Sequence, residues 1–156
     1  MTAPSSPHSA LHTPHSALDA APLILVVDDD RDFLDVTRHV LEAAGYRVAC
    51  AGDPRAARAA MAKEKPRVLV TDLMMQAMDS GFSLAREVKA DPRLRDVPVV
   101  LLTAIGARLG YDFVPHTASD LAAMGADAFF EKPVTPDALL AEIKRLLRRE
   151  AEEKTR

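Results

Sequence analysis

Leu23-Ile24-Leu25-Val26-Val27-Asp28-Asp29-Asp30 is the stretch that decides the fold. A continuous apolar run of this kind reads as a strand covered on both faces. Here it ends abruptly in acid. The same construction recurs downstream. Val68-Leu69-Val70-Thr71 ends in Asp72, Val99-Val100-Leu101-Leu102 ends in Thr103-Ala104, and Ala128-Phe129-Phe130-Glu131 ends in Lys132-Pro133. Laid side by side in a parallel sheet, the four polar endings meet at one edge.

The segments between them carry helical periodicity. Asp30 to Ala44 places Phe33, Val36, Val40, Leu41 and Ala44 at helical spacing, and Gly45 stops the run. Arg47 to Ala51 is a short second strand. Asp53-Pro54 starts a helix, with Asp as N-cap and Pro at the first helical position, and Ala56, Ala57, Ala60 and Met61 form its buried stripe. Phe82, Leu84, Ala85 and Val88 mark a third helix that Asp91-Pro92 ends. Val97 to Leu102 is the fourth strand, followed by an irregular stretch from Ile105 to about His116, a short helix from Ser119 to Met124, and a fifth strand from Ala126 to Glu131. Thr135-Pro136-Asp137 opens the last helix, whose apolar face is Leu139, Leu140, Ile143, Leu146 and Leu147. Five strands alternating with five helices predict an α/β, doubly wound parallel sheet with right-handed crossovers. Ligands in such sheets sit beyond the carboxyl ends of the strands, near the switch in strand order.

Bulk properties agree. A chain of 156 residues, 48% hydrophobic, holds one ordinary domain with a real core. No apolar run approaches the roughly 20 residues that span a bilayer, and the N-terminus lacks a basic start and apolar h-region. One cysteine, Cys50, excludes an intrachain disulfide, fits a reducing cytoplasm and reads as a buried or half-buried structural thiol. A net charge of −3 argues against nucleic-acid binding. Residues 1–21 read as a disordered tail, low in large apolar residues, in which Pro7-His8-Ser9-Ala10-Leu11 recurs as Pro14-His15-Ser16-Ala17-Leu18. The domain then spans 22–149, and 150–156 is a charged, fraying end.

Asp28, Asp29 and Asp72 at neighbouring strand ends would repel one another unless a hard cation lay between them. Mg²⁺ (or Mn²⁺) suits one or two carboxylates plus waters. A carboxylate is also a nucleophile toward phosphorus. The transferring phosphoryl group then needs positive charge and donors. Lys132 offers an ammonium, Thr103 a hydroxyl, and Ala104 a backbone N–H.

On these residues the chain resembles the receiver domain of two-component response regulators, a flavodoxin-like (CheY-like) fold, over about residues 22 to 149. Ile24 to Asp30 resembles that family's acidic-pair strand, and Asp72-Leu73-Met74-Met75 its phosphoacceptor segment. Leu101-Leu102-Thr103-Ala104 and Glu131-Lys132-Pro133 resemble its remaining signatures. The resemblance implies that Asp72 accepts phosphate from a phosphohistidine on a sensor histidine kinase or a histidine phosphotransfer protein. It implies that Asp29, Asp72 and the Met74 carbonyl ligate Mg²⁺ while Asp28 helps through a water. It further implies that Thr103 and Lys132 contact the phosphoryl group, that Phe129 is the switch aromatic, and that the Lys132-Pro133 peptide is cis. Self-catalysed phosphorylation and dephosphorylation do not make such a domain an enzyme in the usual sense.

Two departures stand out. Gln76 replaces the family's usual Pro four residues after Asp72, and Ser80 is an extra residue before Gly81. The segment from Gly106 to Thr117 is several residues longer than usual and predicts a non-standard signalling face. No output domain follows the last helix, so a stand-alone receiver is expected. It would signal to an unknown downstream protein by phosphorylation-controlled contact, with phosphorylation-dependent homodimerisation left open. The alternative is a receiver-like binding scaffold that acts without phosphorylation. A metal-dependent phosphohydrolase would want a second Asp where Met74 stands, and no glycine-rich phosphate loop follows the first strand.

Overall fold

The computed structural model describes residues 21–73, 80–103, 118–123 and 125–154. The expectations for residues 1–20 of the N-terminal tail, for Met74, Gln76 and Ala104, and for the segment Gly106 to Thr117 lie outside these residues; Ala21, given to the tail, is buried, and its carbonyl accepts from Arg47 Nε at 3.0 Å. The order of elements is β1 (Leu23–Val27), α1 (Arg31–Ala43), β2 (Arg47–Ala51), α2 (Pro54–Lys63), β3 (Val68–Asp72), α3 (Ser80–Ala90), β4 (Val99–Thr103), α4 (Ala118–Ala123), β5 (Ala128–Glu131) and α5 (Pro136–Lys154). Four of the helices are long and α4 is short. The strands form one parallel sheet in the order β2-β1-β3-β4-β5. This is the flavodoxin-like, doubly wound arrangement that the alternating pattern predicts.

Strand pleating explains why β1 is apolar throughout. Ile24 and Val26 point to the face covered by α1 and α5, where they pack with Leu34, Leu41, Leu139, Ile143 and Leu146. Leu25 and Val27 point to the opposite face and pack with Ala57, Met61, Leu84 and Val88 of α2 and α3. Both faces are dry, so no position in the strand can be polar until it leaves the sheet.

The helix starts follow the capping residues. Asp30 accepts hydrogen bonds from the Asp32 and Phe33 N–H groups at 3.0 and 3.2 Å, Asp53 from Ala56 at 2.8 Å, and Thr135 Oγ1 from Ala138 at 3.1 Å. Gly45, at φ +100°, ends the turn after α1.

Several expectations need correction. The buried stripe of α1 is Leu34, Thr37 and Leu41; Val36 is 53% exposed, and Ala44 is exposed as well. Leu41 is buried and Phe33 half-buried, as the spacing predicts, but the polar Thr37 takes a core position that a count of apolar residues does not reveal. In α2 Ala57 and Met61 are buried and Ala60 packs half-buried beside them, as the stripe predicts, but Ala56 is exposed. The fifth strand starts at Ala128 rather than Ala126. Asp127 takes over the hydrogen bonding before it: its N–H donates to the Val99 carbonyl at 2.7 Å and its side chain accepts from the Val99 N–H at 2.9 Å. The last helix runs to Lys154, because Glu150 is held by Arg67 Nε at 3.0 Å. Cys50 is exposed, on the edge strand β2, not buried.

Candidate functional site

Register places the polar endings together. Val27 of β1 pairs with Thr71 of β3, Asp72 with Leu102 of β4, and Thr103 with Glu131 of β5. The residues that follow β1 and β5 and those that close β3 and β4 therefore share one edge of the sheet. The switch in strand order falls there too, since β1 is flanked by β2 on one side and β3 on the other.

At that edge Asp28, Asp29 and Asp72 each bring a carboxylate oxygen within 4.8 Å of the others. Asp28 is 1% exposed and Asp72 8%, whereas Asp29 is open to solvent. Lys132 joins the two buried ones: its Nζ donates to Asp28 Oδ2 at 2.7 Å and to Asp72 Oδ2 at 3.3 Å. The other Asp28 oxygen accepts from the Asp30 N–H at 2.9 Å. Burial alone would depress the lysine pKa. The hydrogen bond donated to Asp28 and the charges of Asp72 and Asp28 outweigh it, so the ammonium titrates above the ordinary lysine value.

Among the described residues, three carboxylates gather about one ammonium at this edge. All the available ligand atoms are hard oxygens, and one carboxylate stands open to incoming ion or water. That donor set fits a small divalent cation that keeps several waters.

The structure thus brings together four of the expected site residues: Asp28, Asp29, Asp72 and Lys132. The backbone of Thr103 ends β4 beside them, in register with the residue preceding Lys132. Phe129 lies opposite Leu101 and packs, half-buried, against the core under α2 and α3. The Lys132–Pro133 peptide is cis, as the resemblance implied. Cys50 lines a cleft beside Asp29 and Asp53. Desolvation chiefly pushes its thiol above the ordinary value.

One residue at the site was missed. The ring of Phe33, in the first turn of α1, lies under Lys132, with Nζ 4.7 Å from the ring centroid. An aromatic residue four positions after the exposed Asp29 was the available signal. In the sequence it was indistinguishable from a core residue of the helix.

Comparison with known proteins agrees with this geometry. Residues 24–144 match the response regulator receiver domain family. The chain is 34% identical to the DNA-binding dual master transcriptional regulator RpaA of Synechocystis sp., over 82% of this chain and 50% of that protein. It is 37% identical to the response regulator PleD of Caulobacter vibrioides, over 80% of this chain and 26% of that protein. The chain thus spans half or less of the length of these curated relatives. Among solved structures, the chemotaxis response regulator CheY4 of Vibrio cholerae superposes with a TM-score of 0.68 at 28% identity, covering 81% of this chain and 98% of that one. A CheY-like receiver domain protein of Methanospirillum hungatei gives 0.69 at 26% identity, covering 85% and 98%. With sequence, topology and acidic edge in agreement, the chain belongs to the response regulator receiver domain family.

Proposed function

We propose that this protein accepts a phosphoryl group on Asp72 from a phosphohistidine of a sensor kinase or phosphotransfer protein, with Mg²⁺ bound at the acidic edge. The observation that carries this reading is the placement of Asp72, which closes β3 between two further carboxylates and within 3.3 Å of the Lys132 ammonium. A carboxylate oxygen of Asp72 attacks phosphorus, an O–P bond forms, the P–N bond to the donor imidazole breaks, and the imidazole leaves with the electron pair. Lys132 has two acceptors among the described residues, Asp28 and Asp72, and an ammonium carries three protons. It can therefore turn a donor toward a phosphoryl oxygen without abandoning Asp28. Asp29, Asp72 and, through water, Asp28 would hold the Mg²⁺. When bound, the ion supplies positive charge for the phosphoryl oxygens. Thr103 and Ala104 complete the set of donors, and Phe129 is the candidate aromatic for relaying the change. Signalling then proceeds by contact with a downstream protein in the cytoplasm, and the protein is not an enzyme acting on a separate substrate. Among the described residues no helix is long and apolar enough to cross a membrane.

Intact-mass measurement after incubation with acetyl phosphate and Mg²⁺ tests the reading. Wild type should gain one phosphoryl mass, and Asp72→Asn or chelation of the metal should abolish it. Absence of an adduct on the wild-type chain, with a phosphohistidine donor also tried, would refute the proposal and favour a scaffold that acts by binding alone.

A further inference from the structure

The contact between Lys132 and Phe33 lies outside the fully buried core. Phe33 is half-buried at the rim of the core under α1 and α5, and the buried stripe of α1 is Leu34, Thr37 and Leu41. The ring is nevertheless aimed by the acidic run itself. Asp28 Oδ1 holds the Asp30 N–H at 2.9 Å, and Asp30 Oδ1 holds the Phe33 N–H at 3.2 Å. Asp28 Oδ2 holds Lys132 Nζ at 2.7 Å. One buried carboxylate thus fixes both the first turn of the helix and the ammonium above it. The Nζ to ring distance, 4.7 Å, is within the range where the quadrupole of an aromatic face attracts a cation.

We propose that Phe33 is a positioning residue for Lys132, its ring face holding the ammonium at the phosphorylation site throughout phosphoryl transfer. This rests on the assignment of Lys132 to the phosphoryl group. As the O–P bond forms, one Asp72 oxygen becomes the bridging oxygen of an acyl phosphate and the other a neutral carbonyl, so the attraction of Asp72 for Nζ falls. The ring does not change. An aromatic face also attracts a cation over a broad area, whereas a hydrogen-bond acceptor is directional. Nζ can therefore slide from Asp72 toward a phosphoryl oxygen while keeping the ring beneath it. Phe33 also lines a groove with Val36, Val134 and Leu139, so the ring sits between that groove and the lysine.

The test uses the full chain, acetyl phosphate and Mg²⁺, with the phosphorylation rate read by intact mass. Phenylalanines carrying one, two and three ring fluorines at position 33 keep the shape of the ring while draining its face of electron density. The rate should fall stepwise along that series. Phe33→Leu should be roughly threefold to tenfold slower, and Phe33→Trp should equal or exceed wild type. The Lys132 ε-methylene proton resonances should move downfield in Phe33→Leu as the ring current is removed. Lys132→Ala should be slow and should abolish the dependence on fluorine. A flat fluorine series with a slow Lys132→Ala overturns the role of Phe33 and leaves that of Lys132 intact. A flat series with Lys132→Ala as fast as wild type overturns the assignment of Lys132 as well. A slope that persists in the Lys132→Ala background also overturns the proposal, because the ring would then act through some other group.

Discussion

Replacing Asp127 should unfasten the end of the sheet remote from the acidic site and leave the site working. Asp127 lies just before β5, and its carboxylate accepts from the Val99 N–H at 2.9 Å, from Lys89 Nζ at 3.1 Å and from Arg149 Nη2 at 3.0 Å. In Asp127→Ala the Val99 N–H, at a fully buried residue, loses its acceptor, which costs about 1–3 kcal/mol. The two ion pairs are partly exposed, with Lys89 at 29% and Arg149 at 40%, so solvent screening limits each to about 0.5 kcal/mol. The sum is about 3 kcal/mol. With a urea slope of about 1.5 kcal/mol/M, the midpoint of unfolding should fall by roughly 2 M. Asp127→Asn keeps a neutral acceptor and should lose about half as much.

The pH dependence has a definite sign. Burial pushes the Asp127 carboxyl up, but the Val99 N–H, Lys89 and Arg149 more than reverse it, and its pKa lies below the ordinary aspartate value. A lowered folded pKa contributes stability that is present above the unfolded pKa of about 3.9 and is lost as pH falls through the folded value. The gap between wild type and Asp127→Asn should therefore be constant from pH 7 to about 5 and shrink below about pH 4. Urea titrations across that range are the assay. A gap under about 0.5 kcal/mol at pH 7 for Asp127→Ala, or one that does not narrow in acid, would refute the reasoning. Folded Asp127→Ala should still be phosphorylated at the wild-type rate.

Gly125 stands at φ +74°, and a Cβ there would meet the Ala85 carbonyl oxygen at 3.3 Å, so Gly125→Ala should cost about 1–2 kcal/mol in thermal or urea unfolding; a neutral result would show that the turn before β5 relaxes freely. Val36 is the one exposed large apolar side chain among the described residues, and it lines the groove beside the site. If a phosphohistidine donor seats there, Val36→Asp should slow transfer from that protein about tenfold. Phosphorylation by acetyl phosphate should be unchanged, and equal effects on both donors would remove the groove from the docking surface.

The fold was legible wherever a segment was buried on both sides. β1 is apolar throughout and β3 is so up to the buried Thr71, and their acidic ends mark the functional edge of the sheet. Helix starts were legible because Asp30, Asp53 and Thr135 do a local job that depends on little else. Faces were less legible. Thr37 is buried and Val36 exposed, a reversal that polarity alone cannot reveal, because the choice is made by how α1 leans on α5. At the site the convergence of Asp28, Asp29, Asp72 and Lys132 was readable from strand ends. The division of labour was not: the adjacent pair looks equivalent in sequence, yet Asp28 is sealed and bound while Asp29 is open. The partner that binds the sealed one, Lys132, stands 104 residues away from Asp28 in the chain.

The two ends of β5 carry similar charges put to opposite uses. At the start, Lys89 gives its protons to the Arg95 carbonyl at 3.4 Å, the Val97 carbonyl at 2.9 Å and Asp127 at 3.1 Å, while Asp127 also receives Val99 and Arg149. Each proton of that ammonium has an acceptor, and each oxygen of the carboxylate has a donor. Such a network holds secondary structure in place and has nothing left to offer a ligand. At the far end, Lys132 has two carboxylate acceptors among the described residues and an aromatic face in place of a third. Asp29 stands open beside it. A saturated knot and an unsaturated one, joined by a strand of four residues, separate the element that keeps the sheet closed from the element that is free to exchange partners. Substitutions at the first should change stability without changing chemistry, and substitutions at Lys132 or Phe33 should change the chemistry itself.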